Sequence, residues 1–87
     1  MPTAEDALIA RYVEENPRFP GPADAWLRDS GVPVWALVGY YHQAVAEDET
    51  RVADDYELPV EAVRAALAYY RRHRRLIDDR IAANAAT

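Results

Sequence analysis

The 87-residue sequence has no cysteine, no lysine and a single serine, Ser30. Without cysteine, neither a disulfide nor a thiolate metal site exists. Its three glycines do not cluster, which excludes a glycine-rich phosphate loop. No apolar run approaches the length of a membrane span, and no basic segment followed by an apolar core opens the chain. A cytoplasmic protein without a membrane role is expected. The two histidines, His42 and His73, lack a second His at ligand spacing. The acid pairs Glu14-Glu15, Asp54-Asp55 and Asp78-Asp79 are sequence neighbours, which point to different sides of a helix. These residues form no catalytic constellation, and neither enzyme activity nor a cofactor is expected.

What is present is apolar residues, acids and arginine. A hydrophobic content of 51% beside 29% charged residues argues for a folded chain. A chain this short buries only about 60–65% of its unfolded surface, so help from a partner or from self-association is expected. The net charge of −5 is uneven: residues 1–58 carry twelve acids and four arginines (−8), residues 59–87 three acids and six arginines (+3). The carboxy-terminal part can therefore meet an acidic partner although the whole chain is acidic.

The strongest local pattern runs from Val52 to Leu67. Val52 and Tyr56 are four apart, Leu58 follows in a turn, and Val63 and Leu67 are again four apart. Pro59 suits the start of the second helix, where its missing N–H has no partner to lose. The pattern predicts a helix-turn-helix-like unit in which Glu57 takes the left-handed turn position that Gly favours, at a cost of about 1 kcal/mol. A DNA-reading unit presents basic or amide side chains early in its second helix. Here those positions hold Pro59, Val60, Glu61 and Arg64 beside Asp54, Asp55 and Glu57, so only Arg64 is a candidate DNA contact and weak DNA binding by the chain alone is expected.

Earlier in the chain, Thr3 caps a helix carrying Leu8, Ile9, Tyr12 and Val13, although residues 8–13 also read as a strand. Asn16 to Pro22 ends it. Residues 23–28 read as one helical turn or one extended segment. After the turn Asp29-Ser30-Gly31, Pro33 opens a helix with Val34, Leu37, Val38, Tyr41 and Val45 on one face. Gly39 inside it predicts close packing by another backbone or an aromatic ring. Trp35 and Tyr40 lie off that face and are candidates for a second partner surface. The last helix is expected from Pro59 to about residue 83, roughly 37 Å long. Its apolar overhang, Tyr69, Tyr70, Leu76, Ile77 and Ile81, requires either a fold-back after a break near His73 or another subunit, hence a homo-oligomer. Arg74–Asp78 and Arg75–Asp79 are expected as i, i+4 ion pairs.

The expected fold is mainly α, a tri-helical helix-turn-helix-like bundle with a long C-terminal helix and, as an option, a short N-terminal β element. Residues 1–22 are the N-terminal segment with its Pro-rich loop, 23–84 the domain, 85–87 a frayed tail.

Three stretches in order, Gly31-Val32-Pro33-Val34-Trp35-Ala36-Leu37, Arg51 to Leu58, and Ala66-Leu67-Ala68-Tyr69-Tyr70 with His73 and Ile77-Asp78, resemble the small bacterial domain-of-unknown-function family four-three-three, whose members look like VapB-type antitoxins. The likeness covers about residues 17–84. The family's strand-forming G-x-P-x-I-x-G-T-R-I opening is replaced here by Gly21 to Val32. The resemblance implies a PIN-like ribonuclease toxin as partner, silenced by this chain. Such a nuclease clusters carboxylates around Mg²⁺ or Mn²⁺, and an inserted Arg opposes metal binding by charge and bidentate pairing. The candidate partner-binding residues are accordingly Tyr69, Tyr70, Arg71, Arg72, His73, Arg74, Arg75 and Leu76.

Overall fold

In the computed structural model, residues 1–85 are described. The chain is mainly helical with one small sheet: α1 (Ala4–Tyr12), β1 (Val13–Glu14), a 3₁₀ turn (Pro22–Asp24), β2 (Trp26–Leu27), α2 (Val34–Gln43), α3 (Glu49–Tyr56), α4 (Val60–Arg72) and α5 (Arg74–Ala85). No helix among the described residues is long and apolar enough to cross a membrane.

Local chemistry sets most of the boundaries. The Thr3 hydroxyl accepts the Asp6 N–H at 3.0 Å and the Asp6 carboxylate accepts the Thr3 N–H at 2.8 Å, a reciprocal cap that starts α1. The helical and extended readings of residues 8–13 are both partly realised. Helix runs to Tyr12, and Val13 and Glu14 then pair antiparallel with Leu27 and Trp26. Both readings of residues 23–28 hold in sequence too, a 3₁₀ turn followed by a strand. Asp29 and Gly31 take positive φ in the turn that leads to α2. Asp48 caps α3 by accepting the Arg51 N–H at 3.1 Å. Glu57 stops α3 in the left-handed region (φ 56°, ψ 47°), as its place in the turn predicts, and Pro59 precedes α4.

The core is one cluster centred on α4. Val34, Leu37 and Val38 of α2, Val52 and Ala53 of α3, and Val63, Leu67 and Tyr70 of α4 are buried together with Val13, Leu27 and Ile77. Ala62, Ala65, Ala66 and Ala68 of α4 are buried as well. Small side chains there let α1 pack on α4 from one side while α2 and α3 pack on it from others. No residue of α1 is itself buried; Leu8, Ile9 and Tyr12 lie half-covered against the cluster.

The long last helix is not formed. At His73 the backbone leaves helical geometry (φ −131°, ψ 36°), and its N–H is shared between the Tyr69 and Tyr70 carbonyls. α5 then folds back against α2 and the 3₁₀ turn. Energies account for the break: burying Ile77 contributes about 2 kcal/mol, against about 1 kcal/mol for one interrupted helical hydrogen bond. The Tyr70 hydroxyl also donates to Asp78 across the break at 2.7 Å. Tyr70 and Ile77 are thus covered by their own chain, and of the overhang that pointed to a second subunit only Leu76 remains well exposed, at 49%. Helix persists to Ala85, the first residue of the expected frayed tail; residues 86 and 87 lie outside the described residues.

Gly39 is less crowded than its position in the sequence suggests. A Cβ built there meets neither backbone nor aromatic ring, only the Ile81 Cγ2 at an ordinary 3.9 Å. Gly39→Ala is therefore expected to stabilise the fold by about 0.5–1 kcal/mol, measured by denaturant titration.

Candidate partner-binding surface

The arginine cluster divides at the His73 break. Arg72 donates to Glu5 at 3.0 Å and to Asp6 at 2.5 Å, and Arg71 stands 3.6 Å from Glu5. These two arginines tie the acidic start of α1 to the end of α4. Arg74 and Arg75 do otherwise. The expected pairs with Asp78 and Asp79 do not form among the described residues, and one Asp78 oxygen instead accepts the Tyr70 hydroxyl. Arg74 lies 5.5 Å from the Tyr70 ring centroid, and Arg75 has no ion pair among the described residues. Both occupy the first turn of α5, which holds no acid, where the helix dipole disfavours cations. Leu76 is exposed beside them.

The aromatic candidates of this region are mostly structural. Tyr70 is 8% exposed, and burial with the Asp78 hydrogen bond pushes its phenol above the ordinary range. Tyr69 is half-buried, its phenol raised by burial and then by Glu15, and its ring lies 4.5 Å from that of His73. Of the eight residues singled out from the sequence, Arg74, Arg75 and Leu76 form a contiguous exposed corner. Of the other five, Tyr70, Arg71 and Arg72 link one helix to another and Tyr69 and His73 pack on each other, and the carboxylates that engage Arg71 and Arg72, 66 or more residues away, left no signal in local spacing.

The α1 tie gives a pH dependence. The Asp6 carboxyl is held below its ordinary value by the Thr3 N–H and then by Arg72. A depressed folded-state pKa contributes stability that is present above the unfolded value, about pH 4, and lost as pH falls through the folded value. Protection of the α1 amides relative to their intrinsic exchange is expected to fall below about pH 4, and Asp6→Asn to remove that acid limb while lowering protection at neutral pH.

A second surface lies on the other side of α2. Trp35, Gly39, Tyr40, Gln43, Tyr56, Ile81 and Asn84 line an open groove of about 430 Å³ between α2, α3 and the last described turn of α5. Trp35 and Tyr40, the off-face residues of α2, both belong to it. Tyr40 donates a hydrogen bond to Asp55, which raises the phenol and depresses the carboxyl. Arg80 packs 4.3 Å from the Trp35 ring centroid while pairing with Asp24 at 3.1 Å. The sequence reading places Tyr56 only on the apolar face of α3 and leaves Arg80 and Asn84 without a role; the i, i+4 spacing of Ile77 and Ile81 is the available signal that α5 presents a face to α2.

Arg64, the candidate DNA contact, donates to Glu49 at 3.1 Å. Asp54, Glu57 and Glu61 are exposed on α3, the turn and α4. Among the described residues no three acidic or histidine side chains come close enough to share a metal ion. No family model, no curated protein and no solved structure matches this chain.

Proposed function

We propose that this chain is a protein-binding antitoxin of the VapB type that neutralises a PIN-like ribonuclease, with Arg74, Arg75 and Leu76 as the contact that enters the acidic nuclease site. The observation that carries the reading is the pair of arginines at the first turn of α5 that have no carboxylate partner among the described residues, in a molecule of net charge −5. Cations there oppose the helix dipole and so do little for the fold, while an exposed leucine beside them supplies an apolar anchor. The resemblance of residues 17–84 to the antitoxin-like family supports the identity of the partner. Co-purification with the product of the adjacent open reading frame, with RNA cleavage measured with and without this chain, is the test. A stable complex and suppressed cleavage are expected; no complex, or a neighbour that does not cut RNA, overturns the reading.

A second reading, a helix-turn-helix transcriptional autoregulator, is favoured by the short turn Glu57–Pro59 between α3 and α4. Its electrostatics oppose it, since Arg64 is engaged by Glu49 and the neighbouring exposed side chains are acids. Phosphate attraction would have to come from a bound partner.

A further inference from the structure

We propose that the aromatic groove between α2, α3 and α5 is a binding site for a small organic cation of the alkylammonium class. This inference is independent of the Arg74–Arg75 corner. The groove's volume, about 430 Å³, is within the range of small-molecule sites. Among the described residues its lining contains no Arg, Lys or His to attract an anion and no carboxylate to hold a small hard metal ion.

What it offers is negative potential from neutral groups. The Tyr40 and Tyr56 rings stand nearly perpendicular, 84° apart with centroids at 5.4 Å, so that two π-systems meet at a corner. Ring faces attract cations, most strongly poorly hydrated ones. The Tyr40 hydroxyl donates to the Asp55 carboxylate, which adds electron density to its ring. The Trp35 indole already takes one cation, Arg80, which does not line the groove and is neutralised by Asp24. Arg51, beside Asp55, is likewise neutralised by it at 3.1 Å.

Helix ends add to this. Gln43 and Tyr56, the last residues of α2 and α3, both line the groove, and helix C-termini carry partial negative charge. Among the described residues, of the last four α2 carbonyls those of Tyr40 and Tyr41 alone receive backbone N–H groups from beyond the helix, from Ala44 and Glu47. Gly39 keeps one wall of the groove free of a side chain. The chemistry fits a soft monocation with methylene or methyl groups, from a free alkylammonium compound or from a methylated lysine of another protein.

The full chain is titrated with choline and, separately, with its neutral isostere 3,3-dimethylbutan-1-ol, following backbone amide shifts. We expect choline to bind with Kd on the order of 1 mM or below and the isostere at least about tenfold more weakly, with shifts centred on Gly39, Gln43, Tyr56 and Asn84. Tyr56→Leu and Trp35→Leu should each weaken choline at least about fivefold, and Tyr56→Phe, which keeps the ring, less than about twofold. A short peptide bearing trimethyllysine separates the sources: tighter binding than choline assigns the site to a modified protein, equal binding to a free cation. Equal affinity for choline and the isostere overturns the proposal, as does the absence of groove shifts at about 50 mM choline. The choline–isostere comparison uses the unsubstituted chain, so poor folding of a variant does not remove the test.

Discussion

Ile77→Ala is expected to destabilise the fold by about 2–5 kcal/mol, and Leu76→Ala, one residue earlier, by less than about 0.5 kcal/mol. Ile77 has no exposed surface and sits in the main core cluster, whereas Leu76 is 49% exposed. Truncating Ile77 removes three carbons from a packed site and leaves a cavity, and both effects scale with how little the surroundings collapse. Chemical denaturation monitored by circular dichroism measures both. The contrast also tests the break at His73. Were α4 and α5 one straight helix covered by a second subunit, Ile77 would project from the core, its loss would change subunit association, and the midpoint would vary with protein concentration. A concentration-independent loss of stability is expected.

The α3–turn–α4 unit was legible because each of its signals is local. Val52 and Tyr56, and Val63 and Leu67, stand four apart, Glu57 takes the left-handed turn position, and Pro59 sits just before a helix; Val52, Val63 and Leu67 are buried, while Tyr56 and Leu58 are partly buried against the core. The break between α4 and α5 was legible only as one of two options, a fold-back near His73 or a second subunit, because the apolar period passes through it unmarked. Neither Gly nor Pro stands near His73, and Tyr70, Ile77 and Ile81 keep helical phase across it. Only the tertiary demand of burying Ile77 decides between straight and bent. The alanines of α4 were hidden for another reason. Ala62, Ala65, Ala66 and Ala68 read as helix formers, yet their burial is what lets three neighbours approach one helix. The two strands were too short, at two residues each, for alternation to register.

The candidate surfaces follow the same division. Charge asymmetry pointed to the carboxy-terminal arginines, but composition does not say which guanidinium is already engaged. Arg71 and Arg72 are held by Glu5 and Asp6, across almost the whole length of the chain, while Arg74 and Arg75 are free of carboxylates among the described residues. For Trp35 and Tyr40 the reading as off-face residues was correct in direction. What it could not reveal is that α5 returns to wall off a groove around them.

Arg75→Glu is expected to separate binding from folding most cleanly. The side chain has no ion pair among the described residues and stands in the first turn of α5, where an acid interacts favourably with the helix dipole by about 0.3–1 kcal/mol. The thermal midpoint should therefore stay or rise by a few degrees. Binding should move the other way. An interfacial arginine that pairs with desolvated carboxylates contributes about 2 kcal/mol or more, so charge reversal is expected to weaken the toxin complex at least about thirtyfold and restore RNA cleavage. Arg72→Glu supplies the contrast: it breaks the tie to Glu5 and Asp6 and places three carboxylates together, so it should loosen α1 before it affects the partner. Melting curves and competition binding for the two variants read both quantities. If Arg75→Glu binds and inhibits like the parent, the corner at the start of α5 is only a solvated face, and the inhibitory contact has to be sought elsewhere on the surface.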